Sequence, residues 1–316
     1  MNKCRKLGFA VAACGASITA LHLINKKIAK TATQKDITAN SDELVYEWKF
    51  GKVAYTKSGK GSPVLLLHDL SPEASSYEWK RIKKALAENH TVYTIDLLGC
   101  GHSEKSDIIY TIYMYTQLLN DFILNVINKR VDIITSKDSS TIALMSAISN
   151  PLAYDNIVLI NPQSPMDAKK GPDHYSRYRK CMLNIPVIGT FIYNMCVRRD
   201  FFERDFTSKN FYNKHYINKE WLEAFNETAH IGGAKAKYVY LSKDCGYTTA
   251  EISRAVKTLN KISIINGKEN ASGKDIAQQF LNINPTISTY QVTNSKLLPQ
   301  LEQPLELNKI LKKILR

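Results

Sequence analysis

The six cysteines, Cys4, Cys14, Cys100, Cys181, Cys196 and Cys245, form no Cys-x-x-Cys pair and no cluster with histidine, which argues against a zinc site. In a chain of 316 residues they need not form a disulfide framework, so free and mostly buried thiols are expected and the compartment stays open. No zinc-finger, helix-turn-helix or RNA-recognition signature accompanies the net charge of +14, so no nucleic-acid partner is expected. Long runs of like charge are also missing. Residues 1–40 hold seven Lys/Arg and one acidic residue, and the remaining excess is thinly spread. That pattern reads as solvated faces, with attraction to an anionic membrane as the functional alternative. There is no internal repeat and no low-complexity tract. Two further absences bear on chemistry. No histidine follows His230, and the polar turn Thr135-Ser136-Lys137-Asp138-Ser139-Ser140 contains no glycine.

What is present is an ordinary globular composition, 44% hydrophobic and 23% charged, long enough for one large α/β domain and an accessory part. Near the N-terminus, Leu7 to Ile24 is an 18-residue run without Lys, Arg, Asp or Glu, flanked by Lys3, Arg5 and Lys6 and by Lys26, Lys27 and Lys30. Such a run just spans a hydrocarbon core of about 30 Å at about 1.5 Å per residue. An uncleaved single-pass anchor through residues 7–24 is the leading expectation. A cleaved signal, with small residues at Ala16, Ser17 and Ala20, and a lipoprotein signal at Val11–Cys14 are the alternatives. The basic flanks are nearly balanced, so the side of the membrane is not set. The polar stretch that follows, Ala29 to Glu43, has no apolar periodicity and reads as a linker.

Further along, apolar alternation around Phe50-Gly51 predicts a hairpin, and Val64–Leu67 a buried strand. Helical spacing then covers 77–89, with Trp79, Ile82 and Leu86 on one face. Strands are expected at 91–96, 131–135, 156–162, 261–266 and 286–292. Helices are expected at 110–128, 140–149, near 273–282 and at 304–315. Alternating strands and helices imply a parallel sheet covered on both faces. The alternation breaks over 167–255, which is rich in aromatics and charges and reads as an insertion.

The residues "PVLLLHDL" followed by "VYTIDLLGCGHSE", then the strand at 131–135 with its turn, "NIVLINP" and the tail "LLPQLEQPLELNKIL", resemble the α/β-hydrolase fold family. The resemblance covers about 45–166 and 256–316 and is most specific over Val64–Ser103. It implies a mostly parallel central sheet flanked by helices and an inserted helical cap, to which the apolar run at 7–24 adds an N-terminal anchor helix. The domain reading is then 1–28 anchor or signal, 29–43 linker, 44–166 first part of the core, 167–255 cap and 256–316 second part. No cofactor and no metal are implied.

The family usually carries a Ser-His-Asp site whose nucleophile stands in Gly-x-Ser-x-Gly on a tight strand-to-helix turn. Carried over position by position, the machine is missing. One register puts Lys137 at the nucleophile with Thr135 and Ser139 at the glycines; the other puts Asp138 there with Ser136 and Ser140. Asp138 would be a carboxylate nucleophile, as in dehalogenase- and epoxide-hydrolase-like branches, but its place before a helix favours an N-cap. Ser139 and Ser140 read as caps or first-turn residues. Leu297 stands where the histidine belongs, and Asn270 where the acid belongs. At the oxyanion turn, His68-Asp69-Leu70 replaces the usual His-Gly, and a carboxylate there repels a developing oxyanion. A loop-closing role for Asp69 suits a turn residue. A base supplied by the cap, His215 or His230, is a minor alternative.

Three functions compete on this reading. The first is a membrane-anchored binding or scaffold pseudoenzyme, with a pocket under the cap rimmed by Asp69, Lys137 and Asp138. The second is an active hydrolase of ester, epoxide or carbon–halogen type using Asp138 and a non-standard base. The third is a structural partner whose pocket is filled by side chains. The cap aromatics Phe201, Phe202, Phe206, Phe211 and Tyr212 would line a site for a small apolar ligand or form the cap's own core.

Overall fold

The computed structural model describes the backbone of residues 3–315, and their side chains apart from those of 3–11 and 14. Eight strands form one sheet: β1 Glu43–Trp48, β2 Gly51–Ser58, β3 Ser62–Leu67, β4 His90–Ile95, β5 Val131–Ser136, β6 Tyr154–Ile160, β7 Ile262–Gly267 and β8 Ser288–Val292. Their order is β1-β2-β4-β3-β5-β6-β7-β8. The β1/β2 hairpin and the β2/β4 pairing are antiparallel, and the other pairings are parallel.

Helices preceding the cap are α1 Lys3–Ala32, α2 Lys80–Leu86, α3 Ile112–Phe122 and α4 Ser139–Ser149. The cap carries α5 Pro165–Ala168, α6 Ser176–Asn184, α7 Ile188–Cys196, α8 Arg199–Asp205, α9 Lys219–His230, α10 Lys237–Asp244 and α11 Ser253–Thr258. After it come α12 Gly273–Ile283, α13 Pro299–Glu302 and α14 Pro304–Ile314.

The parallel strands are apolar on both sides because both faces are covered. Leu65, Leu67, Ile133 and Leu159 pack with α3, α4 and Phe280 of α12. Their chain neighbours Val64, Leu66, Ile134 and Val158 pack with Ile82 and Leu86 of α2 and Leu307 and Leu311 of α14. The helix expected at 110–128 is helical from Ile112 to Ile127, with α3 as its α-helical part. A π-type turn over Ile123–Ile127 closes it, and Asn128 reverses the chain at φ +52°. β3 lies between β4 and β5, so the loops leaving β3 and β5 diverge there. This is the crevice where open α/β sheets place their sites.

Of the apolar run Leu7–Ile24, residues 7–11 and 14 lie outside the described side chains, and among the described residues no helix is long and apolar enough to cross a membrane. The anchor is therefore not part of what the fold establishes. The later part of α1 docks on the cap instead. The Asn25 side chain donates to the Val187 carbonyl at 2.9 Å and accepts from Asn194 at 3.0 Å. The stretch read as a linker is helical through Ala32 and is then fastened to α9. Glu227 accepts from the Ile37 and Thr38 N–H groups at 2.9 Å each and from the Thr38 hydroxyl at 2.5 Å. The four described cysteines are unpaired, as expected, but only Cys100 is buried; Cys181 and Cys196 are exposed and Cys245 half-buried.

Candidate active site

The turn between β5 and α4 resolves the one-residue ambiguity of the sequence. Lys137 sits at its tip with φ +47°, the left-handed region that side chains other than glycine rarely enter. Asp138 follows in ordinary helical geometry at the N-cap position of α4, but its side chain does not cap the helix. Its carboxylate pairs with Lys243 of α10 at 2.5 Å. Thr135 and Ser139 fill the places of the two glycines and are fully buried. The Ser139 hydroxyl lies 2.7 Å from the Ser136 carbonyl and 3.2 Å from that of Leu67, tying α4 to both strands.

Asp69 faces Lys137 across the crevice, its Oδ2 3.4 Å from Nζ. Its Oδ1 accepts the Asp138 N–H at 3.2 Å. In a working hydrolase the amide after the nucleophile helps hold the oxyanion. Here that amide is taken by a carboxylate. The Asp69 N–H in turn donates to Glu78 at 3.2 Å. Gln300 bridges Glu78 and Ser136, and Lys243 also donates to the Leu70 carbonyl at 2.9 Å. The expected loop-closing role of Asp69 thus runs between loops rather than within its own.

The electrostatics follow from this packing. Burial alone would raise Asp69, but Lys137 and Lys243 hold its carboxyl below the usual range. Burial raises Glu73 and Glu78. Burial opposes the charge on Lys137, and the carboxylates of Asp69, Glu78 and Glu73 more than offset it, raising the ammonium. A lysine so placed stays protonated and offers no lone pair to attack a carbonyl.

The other two family positions are occupied by an amide clip. Asn161, at the end of β6 with φ +44°, donates to the carbonyls of Lys296 and Leu297 at 3.0 and 3.1 Å. Its oxygen accepts from the Gly267 N–H at 3.2 Å and from Asn270 at 3.1 Å. The loops that would carry an acid and a histidine are thus joined through Asn161, and Leu297 donates its N–H to the Asn210 carbonyl. His68, fully buried, accepts the Leu97 N–H on Nε2 at 3.0 Å, so Nδ1 carries the proton and donates to the Asp69 carbonyl at 2.6 Å. It is a loop tie. The Asp96–Ser103 turn is a tie as well: Asp96 accepts the Ser76 and His102 N–H groups at 2.6 and 2.7 Å, and Ser103 links Asp96 to Ala54.

Between Asp69, Lys137 and the cap the space left is about 20 Å³, roughly one water. Phe202, Phe206 and Phe225 close it from above. Phe202, Phe206 and Phe211 belong to the cap's own core with Trp221, whereas Phe201 and Tyr212 are exposed. This arrangement holds no space there for the small apolar ligand expected under the cap. Neither His215 nor His230 lines that space: His215 is exposed, and His230 borders a different groove.

Sequence reasoning missed Glu78, Asn161, Lys243 and Gln300. Gln300 sits inside the recognised tail motif and was within reach. Lys243 is 105 residues from Asp138 in a cap without motifs, and nothing local marks it.

No protein-family model matches the chain. Over 70 residues it is 39% identical to the 2-hydroxy-6-oxo-6-(2'-aminophenyl)hexa-2,4-dienoic acid hydrolase of Metapseudomonas resinovorans, covering 22% of this chain and 24% of that one. Over 54 residues it is 46% identical to a soluble epoxide hydrolase of Corynebacterium sp., covering 17% and 18%. An uncharacterised protein of Mycobacterium tuberculosis is 27% identical over 108 residues, 34% of this chain and 31% of that one. The chain thus aligns with less than a third of each relative's length. Among solved structures, a serine hydrolase involved in carbazole degradation superposes with a TM-score of 0.70 at 17% identity, covering 86% of this chain and 98% of that one. A bacterial membrane phospholipase A gives 0.68 at 15% identity, covering 99% and 98%. With the sheet order and the crevice geometry, these likenesses show that the chain has the α/β-hydrolase fold.

Proposed function

We propose that this hydrolase-like chain works without Ser-His-Asp catalysis, as a scaffold or binding module tethered to a membrane by the run Leu7–Ile24. One observation carries the reading. A protonated Lys137 stands at the elbow tip, and Asp69 pairs with it while taking the Asp138 amide, so nucleophile and oxyanion positions neutralise each other. With about 20 Å³ left beside them, the filled-pocket form of the reading is better supported than binding under the cap.

A second reading is favoured by the local likeness to an epoxide hydrolase. In it, Asp138 attacks an epoxide, ester or carbon–halogen carbon and a non-standard base activates water. The Asp138 carboxylate is directed at Lys243, which weighs against it.

The two readings separate in assays of the full chain, in neutral detergent, with aryl esters, epoxides and haloalkanes. The expected result is no turnover above the buffer rate, unchanged in Asp138→Ala. Turnover abolished by Asp138→Ala would overturn the scaffold reading. For the tether, the chain is expected to stay in the membrane fraction through an alkaline wash, and release into the supernatant would refute it.

A further inference from the structure

The largely apolar groove beside α1 differs in kind from the filled crevice. It lies between the later part of α1, the end of α7, the start of α8 and the outer face of α9, and its volume is about 530 Å³. That is ample for a small-molecule ligand, since such sites run from about 300 to 1,000 Å³. Ile24, Ile28, Ala32, Ile37 and Met195 give it an apolar wall. Cations stand on its border: Lys27, Lys35, Arg198 and Arg199. Lys35 pairs with Glu223 at 2.6 Å, and Arg199 reaches Glu203 at 4.0 Å. Among the described residues, Lys27 and Arg198 have no carboxylate partner.

A second feature points to a ligand. His230 lines the groove and is 3% exposed. Its Nδ1 donates to the Asn226 carbonyl at 2.7 Å, which leaves Nε2 as a lone-pair acceptor. That Nε2 is buried and has no hydrogen-bond partner among the described residues. Burial lowers the imidazole's pKa, which favours this neutral, accepting form. An orphaned buried acceptor is costly, and a hydroxyl donor would satisfy it.

We propose that the groove between α1 and the cap binds an anionic phospholipid with a hydroxylated headgroup. Its phosphate meets Lys27 and Arg198, its acyl chain lies along Ile24, Ile28 and Met195, and a headgroup hydroxyl donates to His230 Nε2 once the side chains that cover that atom shift aside. The occupant is inferred from charge complementarity and from position: the groove begins at Ile24, where the apolar run ends. In that respect the inference rests on the membrane part of the functional reading and goes beyond it by naming a ligand class.

The test uses the full chain in neutral maltoside detergent, with native mass spectrometry reading lipid binding. Phosphatidylglycerol is expected to bind about tenfold more tightly than phosphatidylcholine, because two cations meet the headgroup. Phosphatidylmethanol, of equal charge but without the glycerol hydroxyls, is expected to bind about fivefold more weakly than phosphatidylglycerol. Lys27→Gln with Arg198→Gln should reduce phosphatidylglycerol to the phosphatidylcholine level. Ile28→Trp, which fills the groove, should remove the binding of both. These variants change half-buried or exposed positions, and unchanged circular dichroism melts would show that the fold survives. Equal binding of phosphatidylglycerol and phosphatidylcholine, wild-type binding by Ile28→Trp, or full displacement of lipid by inorganic phosphate would overturn the proposal. Equal binding of phosphatidylmethanol would overturn the assignment of a hydroxylated headgroup. Because binding is read in detergent, its failure leaves retention in the membrane fraction as a separate result.

Discussion

Lys137→Met is expected to lower stability by about 2–3 kcal/mol, and Asp69→Asn added to it to recover most of that loss. The reason lies in the surroundings. The two side chains are 22% and 10% exposed and 3.4 Å apart. Removing one partner of a fully buried ion pair costs about 3–5 kcal/mol, whereas replacing both is often neutral. Partial exposure of the lysine brings the figure down. Urea melts would measure it as a shift in midpoint at constant slope. A single variant as stable as the parent would show that Asp69 does not need its cation.

The same pair sets a pH dependence with a definite sign. Asp69 is held below its ordinary 3.8, so its contribution is present above that value and is lost as the pH falls through the native value. Lys137 is raised above 10.5, so its contribution is complete below 10.5 and disappears as the pH rises through the native value. Glu78, raised above 4.5 by burial, acts in the opposite sense, and its contribution falls as the pH climbs from 4.5. The gap between parent and Lys137→Met should therefore be wide at neutral pH and narrow at both extremes.

Gly101→Val is expected to be more damaging, at about 4 kcal/mol or more. Gly101 has φ +48°, and a Cβ there would lie 2.0 Å from Asp96 Oδ2. Left-handed backbone costs a branched residue about 1–2 kcal/mol. Pushing the carboxylate aside also strips the acceptor from the Ser76 and His102 N–H groups, at about 1–3 kcal/mol for each buried donor left unpaired. Against a net stability of about 5–15 kcal/mol, most of the margin is gone. Gly171→Val is the control, because nothing lies within 4 Å of its Cβ. It should melt with the parent. A Gly101→Val protein that melts with them would mean that the turn tolerates a side chain and is not what holds β4 to the loop before α2.

The scaffold was legible because its signals are local. Val64–Leu67 is a continuous apolar run that only a doubly covered strand explains, Val131, Ile133 and Ile134 mark the next buried strand around Asp132, and Gly99 and Gly101 mark a turn that admits no Cβ. The site was legible by position but not by contact. Whether Lys137 or Asp138 holds the tip depends on where β5 stops, and Thr135 and Ser136 are equally acceptable as its last residue. The cations and amides that decide the chemistry act through space. Lys243 reaches Asp138 from the cap, and Asn161 joins the loops of Asn270 and Leu297 across 135 residues or so. The docking of α1 was also hidden, since an apolar helix reads alike whether it meets lipid or a cap.

The amide taken by Asp69 has a consequence for how this chain could change over generations. A serine at 137 would strip Asp69 of the nearer of its two cations and still face an occupied amide. A glycine at 69 would free the amide and leave an unpaired lysine beside it. A histidine at 297 would find an amide at 270 and no acid. Each single step toward a hydrolase leaves a group unpaired until the others are in place, so the arrangement holds itself in place one substitution at a time.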